Sequence, residues 1–191
     1  MVDALFESII ALQTRLNDAG IASIVIGGVA IGAWGEPRLT RDVDVKIMLK
    51  REDAQRLLEI LGDEYISLVP NPVEIIQKLA LVFLQDSRDT RLDLLLADTP
   101  FDEIAIQRGK YEEVQPGISI RLCTPEDLVI YKLISTRQRD HEDARSVIYR
   151  QGDGLDDGYV LSWLRQFEQA LDDSTLLSEY QQLRWGALPS N

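Results

Sequence analysis

Gly20–Gly35 passes without one ionisable side chain, and within the next ten residues the chain sets Asp42 and Asp44 either side of a single valine. The run is shorter than the roughly 20 apolar residues that a membrane span requires. Its glycines divide it into a short apolar strand, "SIVIGG", that runs into a turn, and a small-residue stretch, "VAIGAW", long enough for about two helical turns packed closely on that strand. The following "DVDVKIML" alternates, with Val43, Val45 and Ile47 on one face and Asp42, Asp44 and Lys46 on the other. That alternation is the signature of a strand with one buried side.

The rest of the sequence supplies further strands and helices. Leu5, Ile9, Leu12 and Leu16 recur at helical spacing through residues 3–19, and Gly20 stands where a left-handed cap is expected. "REDAQRLLEILG" reads as a helix ending at Gly62. Residues 63–80 show no clear period. "LALVFL" and "RLDLLLA" have the density of two central strands joined by the polar turn "QDSRDT", with Asp93 interrupting the second. "TPFDEIAIQRG" is a helix opened by Thr99-Pro100, and "ISIRLC" is a strand. From Thr124-Pro125 the pattern is helical, broken at "GDGLDDG". The reading is a core over residues 1–123 and a helical segment, 124–191, packed on it. If 126–148 is one helix, Lys132, Thr136, Asp140 and Asp143 form a single polar stripe. No glycine or proline forces a break between Ser135 and Asp140, although the polar run "STRQRD" would allow a kink or a short connection between two helices.

Charge narrows the function. The net charge is -12, and basic residues number 13 against 20 acidic in 1–123 and 7 against 12 in 124–191, so neither part is a basic module. That excludes strong non-specific nucleic-acid binding, which rests on basic residues displacing counterions from phosphates. An RNA end as substrate is not excluded. Cys123 is the only cysteine and no basic-then-apolar leader opens the sequence, so a reducing cytoplasmic setting without a membrane partner is expected.

Carboxylates two apart on a strand lie about 6.6 Å apart along one face. Held so, Asp42 and Asp44 can converge on divalent cations, since paired catalytic metals sit about 3.5–4 Å apart and carboxylate oxygens bridge them. Hard oxygen donors suit magnesium. Asp93 is the candidate third ligand, because an aspartate within an apolar strand is unfavourable unless paired or metal-bound. Gly27 and Gly28, after a strand and before a helix, let backbone N–H groups approach phosphates.

"GG", thirteen residues and then "DVDV", with a later strand aspartate, resembles the signature of the nucleotidyltransferase superfamily that shares the polymerase beta-like core. The loop "EPRLTRDVDV" and the later "PEDLVIYKLISTRQRDHEDA" are similar to the AbiEii/MenT group of nucleotidyltransferase-like toxins. The resemblance covers roughly residues 20–150. It implies a nucleotidyltransferase fold, α/β (α+β) with a mixed β-sheet flanked by helices, in which Asp42, Asp44 and Asp93 bind two Mg2+ ions and carry the catalysis, Asp93 also orienting or ionising the acceptor. It further implies that Gly27 and Gly28 hold the phosphates of a nucleoside triphosphate, that Arg38 and Thr40 steady phosphate or the turn, and that Lys132 reaches the triphosphate. Asp140 and Asp143 match the last acidic element. Many members have serine as the second residue of the glycine pair, and Gly28 here leaves only backbone donors.

Each feature also has a structural reading. Asp93 can be a buried acid paired with Arg91 or Arg121, and Gly27-Gly28 can merely permit tight packing. Lys132 can be a solvated lysine, and Asp140 and Asp143 can be surface charges balanced by Arg137, Arg139 and Arg145. His141 is given no role, and Trp34, Trp163, Trp185 and Tyr131 are read as core or groove-lining. Three functions follow. The first is an ATP- or other NTP-dependent nucleotidyltransferase toxin of a toxin-antitoxin system, modifying tRNA or protein and opposed by an antitoxin. The second is an antibiotic-type nucleotidyltransferase with a small-molecule acceptor. The third is a catalytically silent nucleotide-binding or partner-binding module.

Overall fold

The computed structural model describes residues 4–186. They divide into two units, one made of the chain up to Val29 with Leu39–Cys123, the other of Ala30–Arg38 with the chain from Thr124 onward.

The first unit is built on one seven-stranded mixed sheet. Its strands are β1 (Ser23–Ile26), β2 (Asp42–Ile47), β3 (Tyr65–Ser67), β4 (Leu81–Asp86), β5 (Arg91–Leu96), β6 (Lys110–Gln115) and β7 (Ile118–Leu122). The spatial order is β3-β4-β5-β2-β1-β7-β6, which places β2 at the centre, antiparallel to β1 and parallel to β5. All four residues of β1 are buried, and Val43, Val45 and Ile47 of β2 are wholly inaccessible while Asp42, Asp44 and Lys46 are half-buried on the other face. Burying each such aliphatic side chain stabilises by roughly 1.5–3 kcal/mol. A one-residue slip would exchange the two faces and put Asp42, Asp44 and Lys46 into the core, so the register is strongly held.

Helix α1 (Ala4–Asp18) brings Ile9, Leu12 and Leu16 into the core as its spacing predicts. Helix α2 (Gly27–Trp34) begins directly at the end of β1, the glycine turn and the first helical turn being one and the same. Helix α3 (Ala54–Leu61) stops at Gly62, and α4 (Pro72–Leu79) lies in the stretch without a readable period. Three-residue β3 shares that stretch, too short for its period to be visible. Helix α5 (Pro100–Arg108) is opened by a capping box between Thr99 and Asp102, and Asp102 also pairs with Lys46 at 2.6 Å. The edge strand β6, "KYEEVQ", has no apolar face and is defined by its pairing with β7.

The β4–β5 turn is tied to α1. Asp86, buried, accepts from the N–H groups of Arg88 and Thr90 through Oδ1 and from Ser8 Oγ through Oδ2 at 2.5 Å, and Ser8 Oγ lies 2.9 Å from Thr90 Oγ1.

The second unit is helical: the remainder of α2, then α6 (Pro125–Leu133), α7 (Gln138–Gln151), α8 (Asp157–Leu171) and α9 (Leu176–Trp185). Leu128, Leu133, Ala144, Val147, Val160, Leu164 and Tyr180 form its core. The stretch 126–148 is not one helix, because α6 ends at Leu133 and α7 starts at Gln138. A single stripe at 100° per residue is therefore replaced by a turn that folds Asp140 back onto Lys132. Among the described residues no helix is long and apolar enough to cross a membrane.

Candidate functional site

The polar face of β2 opens the site. Asp44 has Ile26 opposite it on β1 and Asp93 opposite it on β5, while Asp42 has Arg91 opposite it on β5. Partners in a parallel ladder project to the same face, so the register sets Asp42, Asp44 and Asp93 on one side of the sheet. Thr40 Oγ1 donates to the backbone carbonyl of Asp42 at 3.1 Å and to its Oδ1 at 3.2 Å, fixing the approach to the strand.

Gly27 connects that face to the N-terminus of α2. A Cβ at position 27 would lie 1.9 Å from Asp44 Oδ2 and 2.7 Å from its Cγ, so the Asp44 carboxylate occupies the room a side chain would need. Gly27 also has a φ of +63°, a left-handed backbone that other residues avoid. The carboxylate is thus held against the first turn of a helix, where the helix dipole favours negative charge. Gly28, buried, follows within that turn.

Asp93 is held by Arg91. Nε donates to Oδ1 at 2.8 Å and Nη2 to Oδ2 at 2.9 Å, a two-pronged pair on a side chain only 12% exposed. The hydrogen bonds to Asp93 hold the Arg91 guanidinium above its ordinary pKa, and Asp42 and Asp44 add to the field that favours its charge. The guanidinium also lies 4.9 Å from the centre of the Phe83 ring. Arg121 is elsewhere, donating to the carbonyls of Ser23 and Ile106. Among the described residues no group of three or more His, Cys, Asp or Glu side chains stands gathered to hold a metal ion. The carboxylates nevertheless suit a divalent cation by donor type and by face, with Asp93 engaged by Arg91 as the arrangement stands.

The second unit gathers another set of predicted residues. Lys132, 6% exposed, places Nζ 2.5 Å from Asp140 Oδ1 and 3.0 Å from Asp143 Oδ2. Asp140 Oδ2 accepts from Ser135 Oγ and Arg137 Nε, each at 2.6 Å. Asp143 receives the Arg38 guanidinium through Nε and Nη2, both at 2.9 Å. Burial works to raise both carboxyls, but it is outweighed for Asp140 by Lys132, Ser135 and Arg137 and for Asp143 by Arg38 and Lys132, and both stay below the ordinary carboxylate range. Asp140 and Asp143 are therefore buried partners and not solvated surface charges. His141 places Nδ1 2.6 Å from Glu179 Oε1 and Nε2 2.6 Å from the carbonyl of Ser135, an arrangement that asks both ring nitrogens to donate. Glu179 and that carbonyl raise its pKa against the opposing effect of burial.

Sequence reasoning treated Arg91 only as a structural partner for Asp93. Its placement was visible in "RLD", where arginine and aspartate two apart on a strand must share a face. What the sequence could not show is that β5 lies beside β2 in a register that brings this arginine next to Asp42.

The chain matches no protein-family model and no curated protein. Solved structures do resemble it. An antigenic nucleotidyltransferase-like protein from Paracoccidioides brasiliensis is 17% identical over 92% of each chain, with a TM-score of 0.53. The structure of ANT(2'')-Ia in complex with adenylyl-2''-tobramycin is 15% identical over 88% of this chain and 99% of that one, with a TM-score of 0.55. The lincomycin-bound lincosamide antibiotic adenylyltransferase LnuA is 14% identical over 74% of this chain and 94% of its own, with a TM-score of 0.50. At such identities the likeness is one of architecture, and the chain has the nucleotidyltransferase fold.

Proposed function

We propose that this chain is a nucleotidyltransferase, moving a nucleoside monophosphate from a nucleoside triphosphate to an acceptor hydroxyl or related nucleophile. The acceptor oxygen forms its bond to the α-phosphorus, the bond from that phosphorus to the bridging oxygen breaks, and pyrophosphate leaves with the electron pair. The observation that carries the reading is the Asp44 carboxylate lodged in the space that only a glycine at position 27 leaves, with Asp93 opposite it on the next strand. Asp42, Asp44 and Asp93 would hold magnesium, which when bound neutralises charge on the phosphates and makes the acceptor easier to ionise. Asp93 is assigned to orient the acceptor and take its proton. The N–H groups of Gly27 and Gly28, at the start of α2, are assigned to the phosphates.

Arg38 and Thr40 stand on the loop before β2. Lys132 and Asp140, which meet each other inside the helical unit, are assigned to keep Asp143 in place for Arg38.

The acceptor stays a matter of class. The Pro-Arg-x-Thr loop and the "RDHED" element support a toxin that modifies tRNA or protein and is opposed by an antitoxin. The net charge of -12 and the antibiotic-bound neighbours support a small cationic acceptor. The silent-module alternative draws on the pairing of Asp93 with Arg91. One experiment separates them. The protein is incubated with each labelled triphosphate, magnesium and either total RNA, lysate or hydroxylated cationic small molecules, beside Asp44→Asn. Label should enter one acceptor class with the unsubstituted protein and none with Asp44→Asn. Intact nucleotide binding without transfer to any acceptor would leave the silent module.

A further inference from the structure

Arg91 precedes Asp93 by two residues on β5, so the two side chains rise from the same face. Its fork takes both oxygens of Asp93, at 2.8 and 2.9 Å, and its own strand position faces Asp42. One cation therefore stands among the carboxylates that a divalent ion would need, and the Phe83 ring lies 4.9 Å from it. The Arg91 side chain is 47% exposed against 12% for Asp93, so the guanidinium is the more open of the two to solvent.

Resting on the nucleotidyltransferase reading, we propose that Arg91 is the resident counter-cation of the carboxylate site, holding Asp93 until a divalent cation takes it, so that arginine and ion compete for one carboxylate. The competition has two parts. Both oxygens of Asp93 already accept from the fork, so an arriving ion must share them with the arginine hydrogen bonds and weakens those bonds by drawing charge from the same atoms. The positive charge beside Asp42 and Asp44 also repels an arriving cation directly. Both effects act against the ion, which gives the proposal a sign: removing the guanidinium tightens divalent binding. An arginine that only kept Asp93 in its productive rotamer would act the other way, because its loss would let the carboxylate wander and would weaken binding.

The test is direct Mn2+ binding, followed by calorimetry at fixed ionic strength without nucleotide, on the full chain and on Arg91→Gln, Arg91→Lys and Asp93→Asn. Thermal melts confirm that each variant is folded. Loss of a charge-assisted fork on a mostly buried carboxylate should lower the Mn2+ Kd by about tenfold in Arg91→Gln. Arg91→Lys keeps the charge but loses the planar fork and should fall between, which preserves the test if Arg91→Gln does not fold. Asp93→Asn should bind more weakly than the unsubstituted chain. Unchanged or weaker binding in Arg91→Gln and Arg91→Lys overturns the proposal and leaves the functional reading standing. Failure of every variant and of the unsubstituted chain to bind Mn2+ overturns both.

Discussion

Gly27→Ala tests where Asp44 sits, and Gly20→Ala supplies the matched control. Both glycines have positive φ, +63° at Gly27 and +74° at Gly20, so both substitutions carry the left-handed penalty of about 1–2 kcal/mol. Around Gly20 an added Cβ meets nothing within 4 Å, whereas at Gly27 it meets Asp44 Oδ2 at 1.9 Å. Since Cβ contacts essentially never fall below 3.0 Å, Asp44 must withdraw by at least 1.1 Å or the first turn of α2 must move. A misplacement of about 1 Å at a reacting centre lowers rate by roughly 100-fold. Denaturant unfolding should show Gly20→Ala less stable by about 1 kcal/mol and Gly27→Ala by roughly 2 kcal/mol, a melting shift of a few degrees for a chain of this size. Nucleotidyl transfer and Mn2+ binding should be unchanged in Gly20→Ala and severely reduced in Gly27→Ala. If the two variants lose the same stability and Gly27→Ala keeps transfer and ion affinity, the Asp44 carboxylate does not occupy that space and the site as described is wrong.

Asp140→Asn should destabilise by about 2 kcal/mol, below the roughly 3–5 kcal/mol for breaking a buried ion pair outright, because Asp143 still faces Lys132. The folded pKa values of Asp140 and Asp143 are lowered, so their contribution is complete above the unfolded value near about 3.9 and fades as pH falls through the folded ones. Urea unfolding at a series of acidic pH values should therefore give a shallower loss of stability in Asp140→Asn than in the parent. The folded pKa of His141 is raised, so its contribution is complete below about 6.5 and is lost as pH rises through the folded value. His141→Gln should be less stable than the parent by roughly 1 kcal/mol at acidic to neutral pH and equal to it in alkaline buffer. A gap that stays constant with pH would show that the imidazolium does not bridge Glu179 and Ser135.

The sequence revealed most where one periodicity acted alone. The alternation at 42–47 identified both faces of β2 without knowledge of its neighbours, and the spacing of Leu12 and Leu16 did the same for α1. Legibility failed where pairing or burial decided the outcome. In "KYEEVQ" only Tyr111 and Val114 favour a strand, and they fall on opposite faces, so the edge that β7 offers decides it. The separation of α6 from α7 has no glycine or proline to announce it. Its ion pairs of Asp140 with Lys132 and Arg137, and the hydrogen bond that Asp140 accepts from Ser135, bring together residues whose proximity depends on the turn itself. For the site, the side on which Asp42 and Asp44 lie followed from spacing, and the partner of Asp93 was among the alternatives that composition left open. That Arg91 and not Arg121 takes that carboxylate is decided by strand order.

The link from Ser8 through Asp86 to Thr90 couples the opening helix to the turn from which Asp93 is suspended. The turn that leads into β5 is in this way held partly by a hydroxyl on α1. Removing the leading residues through Ser8 would take away one tie on a hairpin more than seventy positions downstream. If the proposed transfer falls in such a shortened protein while Asp42, Asp44 and Asp93 are all present, the origin of the loss is mechanical and not chemical.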